Sequence, residues 1–520
     1  MRKAFERTVS RFRKEDDGFS LLFIASTLAL LLGISAFAVD LGWLYLNGSR
    51  VQRAADSSAL AGVVFLPWDT GNVEAKAIDG ANANGYNVGT VNGTSVGSGP
   101  DTLTWQALPD NKLQVTLTSQ IDTFFLKVLG FDDFTITRTA TSQFIKPVPL
   151  GAPANCIGIG EGVGTSGLDS HATGGGSAFD ICDNYTQNFW SAHNGRRTAI
   201  EHGDPYGPTC NWNCGNTNGN GSHDPYYYFA VDVPENAGSW VDVYVYDGGF
   251  YDRSGWAETG DEESLADSSS GGVNMQFRVF APDTSPQIPE DNTTPVSCGL
   301  GSNNVQVDSG QSSATFRNRW VRLCRIDNPT AGIYVLRVAN ETSGGGNNIG
   351  GSNQFSLLAD SASFGSGPSN LTRIYSLNEM SIFTNDDDGN ATVYIAEVAP
   401  IHANKILELK FYDPGETSGN GTMTVIPPPG VSGYSCSWTA TDNHPPNAPT
   451  SGNSCSINTS SGGNSQYNAE WITMQIQLPS DYTCSTDCFW KMNLVLNTAH
   501  DRTTWEARVL GNPVALVPNP

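Results

Sequence analysis

The acidic string at residues 384–390, Thr-Asn-Asp-Asp-Asp-Gly-Asn, holds the side chains best suited to binding a cation. Asp386, Asp388 and Asn390 offer oxygen ligands at alternate positions around the turn-forming Gly389, as calcium loops do. The string lacks the first ligand and the closing glutamate of such loops. Two hypotheses therefore stand, a calcium site and an acidic turn in solvent, and the sequence otherwise predicts no cofactor. A second acidic loop runs through residues 247–263.

Two segments match the residue pattern of a catalytic or cofactor-binding motif but lack the structural context that the motif requires. Gly93-Thr-Ser-Val-Gly97 has the nucleophile-elbow spacing, but that elbow must link a strand to a helix, and this string lies in a Gly/Ser/Asn loop. Residues 162–167 fit the dinucleotide fingerprint, but the glycine-rich segment after them cannot form the helix that binds the phosphates. The sequence therefore predicts no catalytic residue and no enzymatic activity. The alternative is a membrane-tethered secreted hydrolase with sandwich binding modules, which would need a carboxylate pair, a triad or a metal centre on facing strands.

All ten cysteines lie beyond the apolar N-terminal segment, and their even number is typical of disulfides in an oxidising compartment. Spacing suggests five pairs: Cys156 with Cys182, Cys210 with Cys214, Cys298 with Cys324, Cys436 with Cys455, and Cys484 with Cys488. Spacing alone does not fix this connectivity. The two Cys-x-x-x-Cys pairs could also be halves of zinc sites, but no further ligand stands at finger-like spacing.

An uncharged, mostly apolar run at residues 19–39 follows a basic stub at residues 1–18. A run of about 20 such residues is long enough to cross a bilayer as a helix. The basic stub predicts a cytoplasmic N-terminus, with the bulk of the chain extracytoplasmic at the cell surface. A cleaved signal peptide has a shorter apolar core, so a retained single-pass anchor is favoured. Pilin-type cleavage after Gly18 remains a second route, although Phe23 stands where pilins usually carry a glutamate.

Small side chains form a stripe on the helix that continues past the apolar run, at residues 54, 55, 58, 59, 61 and 62. Such stripes let helix backbones approach closely. One interpretation is a packing face for a partner helix, and the other is a helix capped by the domain that follows. The positions predicted to act in docking and in the fold are Asp40, Tyr45, Gln52, Ala55 and Asp56.

The string from Asp40 to Gly62, with its Asp-x-Gly-x-x-Tyr step and Gln-x-Ala-Ala-Asp-x-x-Ala-Leu-Ala helix, resembles the N-terminal signature of TadG-like proteins. These are proteins of the tight-adherence (Flp) pilus apparatus. The resemblance covers residues 1–145, where residues 73–84 read as a helix, 111–117 as a strand, and 121–130 and 134–142 as the family's closing helix and strand. It implies a role in pilus assembly or adhesion, with other pilus-assembly or pilin-like subunits as partners of the N-terminal helix.

Six alternating segments recur in the same order in two halves of the remaining chain, which indicates two copies of one domain. Alternation over four to eight residues predicts half-buried strands, and many short strands separated by turn residues predict β-sandwiches. The first copy has segments at 228–233, 241–247, 275–280, 320–324, 334–338 and 355–358, and the second at 393–398, 406–413, 423–426, 471–475, 490–494 and 505–509. Residues 148–222, rich in Gly, Asn and Cys, are a connector or the first strands of the sandwiches.

The predicted fold is mainly β with an α+β N-terminal part: a single transmembrane helix, a small α+β domain and two tandem disulfide-braced β-sandwiches. The domains are the stub at 1–18, the membrane helix and its extension at 19–66, the small domain at 67–147, the connector at 148–222, and the sandwiches at 223–362 and 373–517. A net charge of −24 opposes binding to nucleic acid. The predicted function is a non-enzymatic envelope protein of a bacterial Flp pilus system, with a surface or polysaccharide ligand as a further partner. A structural surface-layer component is the remaining alternative.

Overall fold

The computed structural model describes residues 2–66, 70–88, 95–96, 101–108, 111–145, 148–151, 153–160, 163–173, 178–179, 189–194, 203–205, 226–246, 275–283, 288–298, 305–307, 319–340, 352–363, 372–385, 390–415, 419–442, 448–462, 464–485, 488–495, 500–511 and 514–519. The side chains of residues 2–19 are outside this description. The chain divides into two compact units, unit 1 at residues 1–145 with 512–520, and unit 2 at residues 146–511.

The described α-helices are α1 (Arg2–Val63), α2 (Thr70–Ala83) and α3 (Ser170–Thr173), with 3-10 turns at Leu126–Leu129, Pro289–Asp291 and Pro400–His402. The strands are β1 (Ser95–Val96), β2 (Thr102–Leu108), β3 (Lys112–Asp122), β4 (Asp133–Phe144), β5 (Cys156–Ile157), β6 (Trp190–Asn194), β7 (Tyr227–Val233), β8 (Trp240–Tyr246), β9 (Met275–Phe280), β10 (Val305–Val307), β11 (Trp320–Asp327), β12 (Gly332–Asn340), β13 (Ser352–Ser361) and β14 (Arg373–Ser376). They continue with β15 (Glu379–Asn385), β16 (Asn390–Glu397), β17 (Ile406–Tyr412), β18 (Thr422–Ile426), β19 (Ser435–Ala440), β20 (Ser451–Gly452), β21 (Ser456–Asn458), β22 (Ser460–Ser461), β23 (Asn464–Ser465), β24 (Trp471–Gln477), β25 (Phe489–Val495), β26 (His500–Leu510) and β27 (Val514–Val517).

Unit 1 packs α1 and α2 on an antiparallel sheet with the strand order β1-β2-β3-β4-β27. Strand β3 alternates apolar and polar residues, so Leu113, Val115 and Leu117 are buried together against the helices. This is the pattern of a sheet with one buried face. The two helices cross at small residues, where a Cβ on Gly80 would lie 2.8 Å from the Cα of Ser58.

The predicted closing helix at 121–130 is wrong in detail. The segment is the connection of the β3–β4 hairpin, in which Asp122 pairs with Asp133, and its only helical part is the 3-10 turn. That turn ends at Gly130, which has a φ of 88° and whose N–H bonds the Lys127 carbonyl at 3.1 Å. A left-handed residue at such an end is most easily a glycine.

Unit 2 contains two sandwiches with the same strand pairing, which confirms the repeat predicted from the sequence. In the first sandwich β8 lies between β11 and β13, and β12 lies between β7 and β9. In the second, β17 lies between β24 and β26, and β25 lies between β16 and β18. All these pairs are antiparallel, as in sandwiches built from sequential short strands.

The two sandwiches share one continuous sheet, which the sequence did not predict. Strand β6 from the connector pairs with β13 of the first sandwich and with β15, which in turn pairs with β26 of the second. Strand β14, which the sequence assigned to the second sandwich, pairs with β7 of the first. The connector therefore supplies sheet strands, which is the second of the two alternatives for residues 148–222.

Three disulfides join Cys298 to Cys324, Cys436 to Cys455, and Cys484 to Cys488, and these pairs agree with the spacing. Cys156 is also disulfide-bonded. Cys182, Cys210 and Cys214 lie outside the described residues.

The last strand leaves the second sandwich. The predicted domain boundary of that sandwich was residue 517, but β27 pairs with β4 of unit 1, with Val514 opposite Phe144. The side chain of Asn519 fixes this return, because its Nδ2 donates a hydrogen bond to the Thr139 carbonyl at 3.1 Å.

Candidate functional site

Helix α1 leaves its apolar side chains uncovered along the predicted membrane segment. Within the described part of the chain, Ser20–Val63 is the one helix long and apolar enough to cross a membrane. Leu21 is 74% exposed and Leu32 is 62% exposed, which water would oppose and lipid would favour. Between residues 20 and 39, only Ala36 is partly shielded by the rest of unit 1.

Asp40, the first charged residue after the apolar run, is fully buried and binds the connection of the β3–β4 hairpin. Its carboxylate accepts hydrogen bonds from the backbone N–H groups of Phe124, Phe125 and Leu126 at 2.9, 2.9 and 2.6 Å. The N–H groups at the start of a helical turn have no partner within the turn, and a carboxylate is a strong acceptor for them. We call this set of three bonds the Asp40 clamp.

The other four predicted docking positions divide between solvent and the interior of unit 1. Tyr45 is 81% exposed, and it is the only one of the four on an open surface. Ala55 is completely buried in the core. The Nε2 of Gln52 donates a 2.8 Å hydrogen bond to Asp56 and a 3.4 Å bond to the Thr139 carbonyl of β4. Gln52 thus joins α1 to its own sheet, while Asp56 binds the Gln52 amide within the helix.

The stripe of small residues packs inside unit 1 and is not open to a partner helix. Ala54, Ser58 and Ala59 are fully buried, and the Ala59 carbonyl accepts a 2.7 Å hydrogen bond from the Ser142 hydroxyl. A Cβ on Gly62 would lie 2.7 Å from the Leu113 side chain. Of the two interpretations, the domain that follows covers this face of the helix.

A buried cluster of charge lies in the first sandwich, where Asp242 of β8 is completely shielded from solvent. Arg325 of β11 binds both carboxylate oxygens of Asp242, its Nε lying 2.7 Å from one of them. This hydrogen bond raises the pKa of Arg325. Arg322 lies 3.4 Å from the same carboxylate, and Arg325 also stacks over the Trp240 ring at 4.5 Å. A buried carboxylate must be paired in this way.

The same cluster fastens α3 of the connector to the sandwich. Nδ1 of His171 lies 2.7 Å from the Asp360 carboxylate, and the Tyr244 hydroxyl donates to Asp169 at 3.0 Å. Burial raises the pKa of Asp360, and contact with His171 opposes that shift. Burial also acts to raise the pKa of Asp169, but hydrogen bonds from Ala172, Tyr244 and His171 outweigh it, and that pKa is lowered.

In the second sandwich, the side of β17, β24 and β26 opposite the core carries a polar surface that we call the polar face. Its members are Glu408, Lys410, Tyr412, Trp471, Thr473, Gln475, Glu506 and Arg508. Glu408 accepts hydrogen bonds from Arg508 at 2.8 Å and Gln475 at 2.9 Å. Burial acts to raise the pKa of Glu408, but these bonds outweigh it and the pKa is lowered. Lys410 pairs with Glu506 at 2.9 Å.

Aromatic rings and two shallow cavities border the polar face. Trp471 and Tyr412 have ring centroids 5.2 Å apart, and the Lys410 ammonium lies 5.5 Å from the Trp471 ring. A cavity of about 340 Å³ is lined in part by Tyr228, Glu408 and Arg508, and one of about 370 Å³ by Trp438, Thr473 and Gln475 among others. Rings beside fixed donors and acceptors suit a polar ligand with an apolar surface.

The calcium hypothesis stays a prediction. Asp386 and Asp388 lie outside the described residues, and Asn390 is the exposed first residue of β16. The acidic loop at 247–263 also lies outside them. In the described part of the chain, no group of three or more His, Cys, Asp or Glu side chains could hold a metal ion.

Sequence reasoning missed the Asp40 clamp and the polar face. The clamp joins residues 84 to 86 positions apart, and no local pattern encodes that pairing. A signal for the polar face was present in β24, where Trp471, Thr473 and Gln475 alternate with buried Ile472 and Met474.

Residues 18–64 match the family model described as Flp pilus-assembly TadE/G-like, which confirms the resemblance over α1. No curated protein matches the chain. Among solved structures, the N-terminal CBM22-1-CBM22-2 tandem domain of Xyn10C from Paenibacillus barcinonensis is similar over 53% of this chain and 80% of its own, at 12% identity. The TM-score of this match is 0.12. The family match and the exposed apolar helix identify a membrane-anchored, pilus-associated protein.

Proposed function

We propose that this chain is a non-enzymatic envelope protein that works with an Flp pilus system, in assembly of the pilus or in surface attachment. The proposal rests mainly on one observation: the family match at 18–64 falls on a helix that is uncovered at residues 20–39 and packed into the core of unit 1 at residues 51–63. The basic stub supports a cytoplasmic N-terminus and an extracytoplasmic bulk.

The partner in the membrane is a helix of another pilus-assembly or pilin-like subunit. Because α2 and the sheet of unit 1 occupy the small-residue stripe, the partner contact falls on the uncovered side of α1, between Leu21 and Tyr45. Van der Waals packing between apolar helices is the force available there.

Mass spectrometry of sheared surface filaments and of the membrane fraction tests this proposal, with the N-terminal peptide read in each. Recovery in the membrane with residues 1–18 intact supports a retained anchor that acts in assembly or attachment. Enrichment in filaments with a start at Phe19 would make the chain a processed subunit of the pilus. If a strain without the pilus genes contained the same amount of the chain in the same fractions, with the same N-terminal peptide, any link to the pilus would be contradicted.

Attachment to a surface polysaccharide is favoured by the polar face. Trp471, half-buried and packed on the buried Tyr412 ring, supplies an apolar ring beside the donors and acceptors of Glu408, Lys410 and Gln475. Binding of the full chain to immobilised polysaccharides should weaken in Trp471→Ala. Tyr394→Ala is the matched control, because Tyr394 is also a half-buried ring beside a lysine, with Lys491 at 4.5 Å, but it lies on the opposite sheet. Equal loss in both variants, or binding by neither wild type nor control, would contradict a ligand site on the polar face.

The hydrolase alternative has one arrangement to test. Among the described residues, the His171–Asp360 pair is the nearest to a catalytic dyad, since His171 is 40% exposed at its side chain. We assign the His171–Asp360 pair a structural role, because it borders the buried cluster in which Asp242 accepts hydrogen bonds from Arg325 and Tyr244. Hydrolysis of a polysaccharide or peptide by the full chain that is lost in His171→Ala would favour the enzyme. Ordered arrays of the chain in a strain without pili would favour a surface-layer component.

A further inference from the structure

Among the described residues of unit 1 outside α1, the exposed large apolar side chains other than Leu516 lie at the tip of the β3–β4 hairpin. Six large apolar side chains are at least one-third exposed there: Phe124 57%, Phe125 49%, Val128 86%, Leu129 72%, Phe131 55% and Phe134 37%. Phe131 stacks on Phe134 with ring centroids 6.2 Å apart. We call this group of six side chains the apolar tip. Soluble proteins rarely leave such a surface in water, and its exposure indicates a contact.

The apolar tip is fixed beside the point where α1 leaves the predicted membrane segment. The Asp40 clamp holds its first three residues to the first charged position after the run at 19–39. Phe124 packs on Trp43 of α1 with centroids 5.3 Å apart. Ala36 lies on the same side of α1 as Asp40, about 6 Å further along the helix into the apolar run, and it is partly shielded. The tip therefore borders α1 at the end of its apolar segment.

Charged residues are layered around the apolar tip as they are in interfacial segments. Asp122, Asp132 and Asp133 lie at the base of the hairpin and are exposed, and the Thr123 N–H closes that base on the Asp132 carbonyl at 3.0 Å. From Phe124 to Phe131 the tip carries one charge, Lys127, which is also exposed. A lysine stem covers apolar surface while its ammonium reaches the phosphate layer. The acidic base then lies on the water side of that layer.

We propose that residues 124–131 insert into the headgroup and acyl boundary of the same bilayer that α1 crosses, on the side of unit 1. The hairpin tip and the helix together give unit 1 two contacts with the membrane. Interfacial segments with an apolar face bury it at this boundary. The inference rests on the membrane helix of the proposed function and adds the second contact. A bilayer is favoured over a protein partner because the surface packs on α1, through Phe124 and Trp43, at the end of the lipid-exposed segment of that helix.

The test uses the full chain in phospholipid nanodiscs that contain a phosphatidylcholine with a photoreactive diazirine in its acyl chain. After illumination and pepsin digestion, mass spectrometry maps the lipid adducts. We expect adducts on peptides from residues 20–39 and from residues 124–131. Adducts on 20–39 without adducts on 124–131 would overturn the inference and leave the anchor in place. An absence of adducts on 20–39 would contradict the anchor itself.

Two variants make the result specific. Val128→Ser removes the most exposed apolar side chain of the tip, so nothing in the fold depends on it, and most of the adduct signal at 124–131 should be lost while that at 20–39 stays. Leu516→Ser is the control, since Leu516 is 46% exposed and lies opposite Ser142, eight residues or about 27 Å along β4 from Phe134. It should leave both signals unchanged. A photoreactive residue at position 128 that captures a protein rather than lipid in cells would overturn the proposal in favour of a subunit contact.

Discussion

Each unit of the molecule buries an aspartate completely, and the two units neutralise it in different ways. In unit 1, Asp40 accepts three backbone N–H groups from a single loop. In unit 2, Asp242 is bound by the guanidinium of Arg325 and approached by Arg322 and Tyr244. The first carboxylate orders a local segment beside the membrane helix, and the second joins neighbouring strands and the connector into one structure.

This difference predicts which part of the molecule is destabilised when each carboxylate is removed. The partners of Asp40 are the first N–H groups of a hairpin connection, which can open without unfolding the sheet behind it. The partners of Asp242 lie on β8 and β11 of the sandwich itself. An arginine there that loses its carboxylate partner destabilises the sandwich to the extent that its guanidinium is buried. The predictions below test this contrast.

Asp242→Ala is expected to have the largest effect, lowering the stability of the first sandwich by about 2–3 kcal/mol. Breaking a fully buried ion pair costs about 3–5 kcal/mol, and the arginines here are about one-third exposed, which reduces the cost. Urea titration with hydrogen-exchange mass spectrometry of β8 and β11 in the full chain measures it. Asp327→Asn, at an exposed position of β11, is the control and should change little. Equal losses of stability in the two variants would contradict a stabilising role for the buried Asp242 carboxylate.

Gly80→Ala should destabilise the helix pair of unit 1 by about 1–2 kcal/mol. Overpacking costs about 1–3 kcal/mol, and the better helix propensity of alanine returns up to about 1 kcal/mol. The new Cβ would lie 2.8 Å from the Ser58 backbone, whereas a Cβ on Gly42 of α1 meets nothing within 4 Å. Gly42→Ala is therefore the matched control. Thermal unfolding followed by exchange in α2 measures the difference, and a stabilised Gly80→Ala would show that the helices are not in close contact.

The sequence predicted elements better than it predicted their partners. Alternation in β8 and β17 and the uncharged run in α1 are local patterns, and local patterns specify helices and strands. The pairing of β6 with β13 and β15, and the return of β27 to unit 1, depend on contacts between distant segments and have no local signal.

The same limit applied to the candidate sites. Tyr45 and Asp56 were predicted as docking positions from a signature, yet Asp56 is bonded to Gln52 within α1 while Tyr45 is open. The resemblance to the family implied a helix around Val128, but the segment is a hairpin connection with one 3-10 turn. The hydrogen bonds of Asp40 to this segment come from a residue 84 to 86 positions away, and no local pattern predicts them.

Acidification should weaken the polar face by about 0.5–1 kcal/mol, as expected for a hydrogen-bonded pair whose arginine is mostly exposed. The folded-state pKa of Glu408 is lowered by Gln475 and Arg508, although burial opposes this. The unfolded state therefore binds the proton more readily, and the stabilisation is present above the ordinary glutamate pKa and is lost as the pH falls through the folded value. Exchange in β17 and β26 between about pH 6 and pH 3 measures the effect. Glu408→Gln should flatten the profile, and Glu235→Gln, at an exposed position, should not.

Hydrogen exchange at residues 124–126 in Asp40→Asn tests the central claim most directly, namely that a carboxylate on the anchor helix holds the hairpin tip. The full chain in nanodiscs should exchange these three amides faster by about tenfold or more, because hydrogen bonds to a charged acceptor are weakened. The amides of β3 and β4 should keep their wild-type rates, since their pairing does not involve Asp40. Unchanged exchange at 124–126 would contradict the clamp, and faster exchange throughout β3 and β4 would show that Asp40 supports the whole unit rather than its tip.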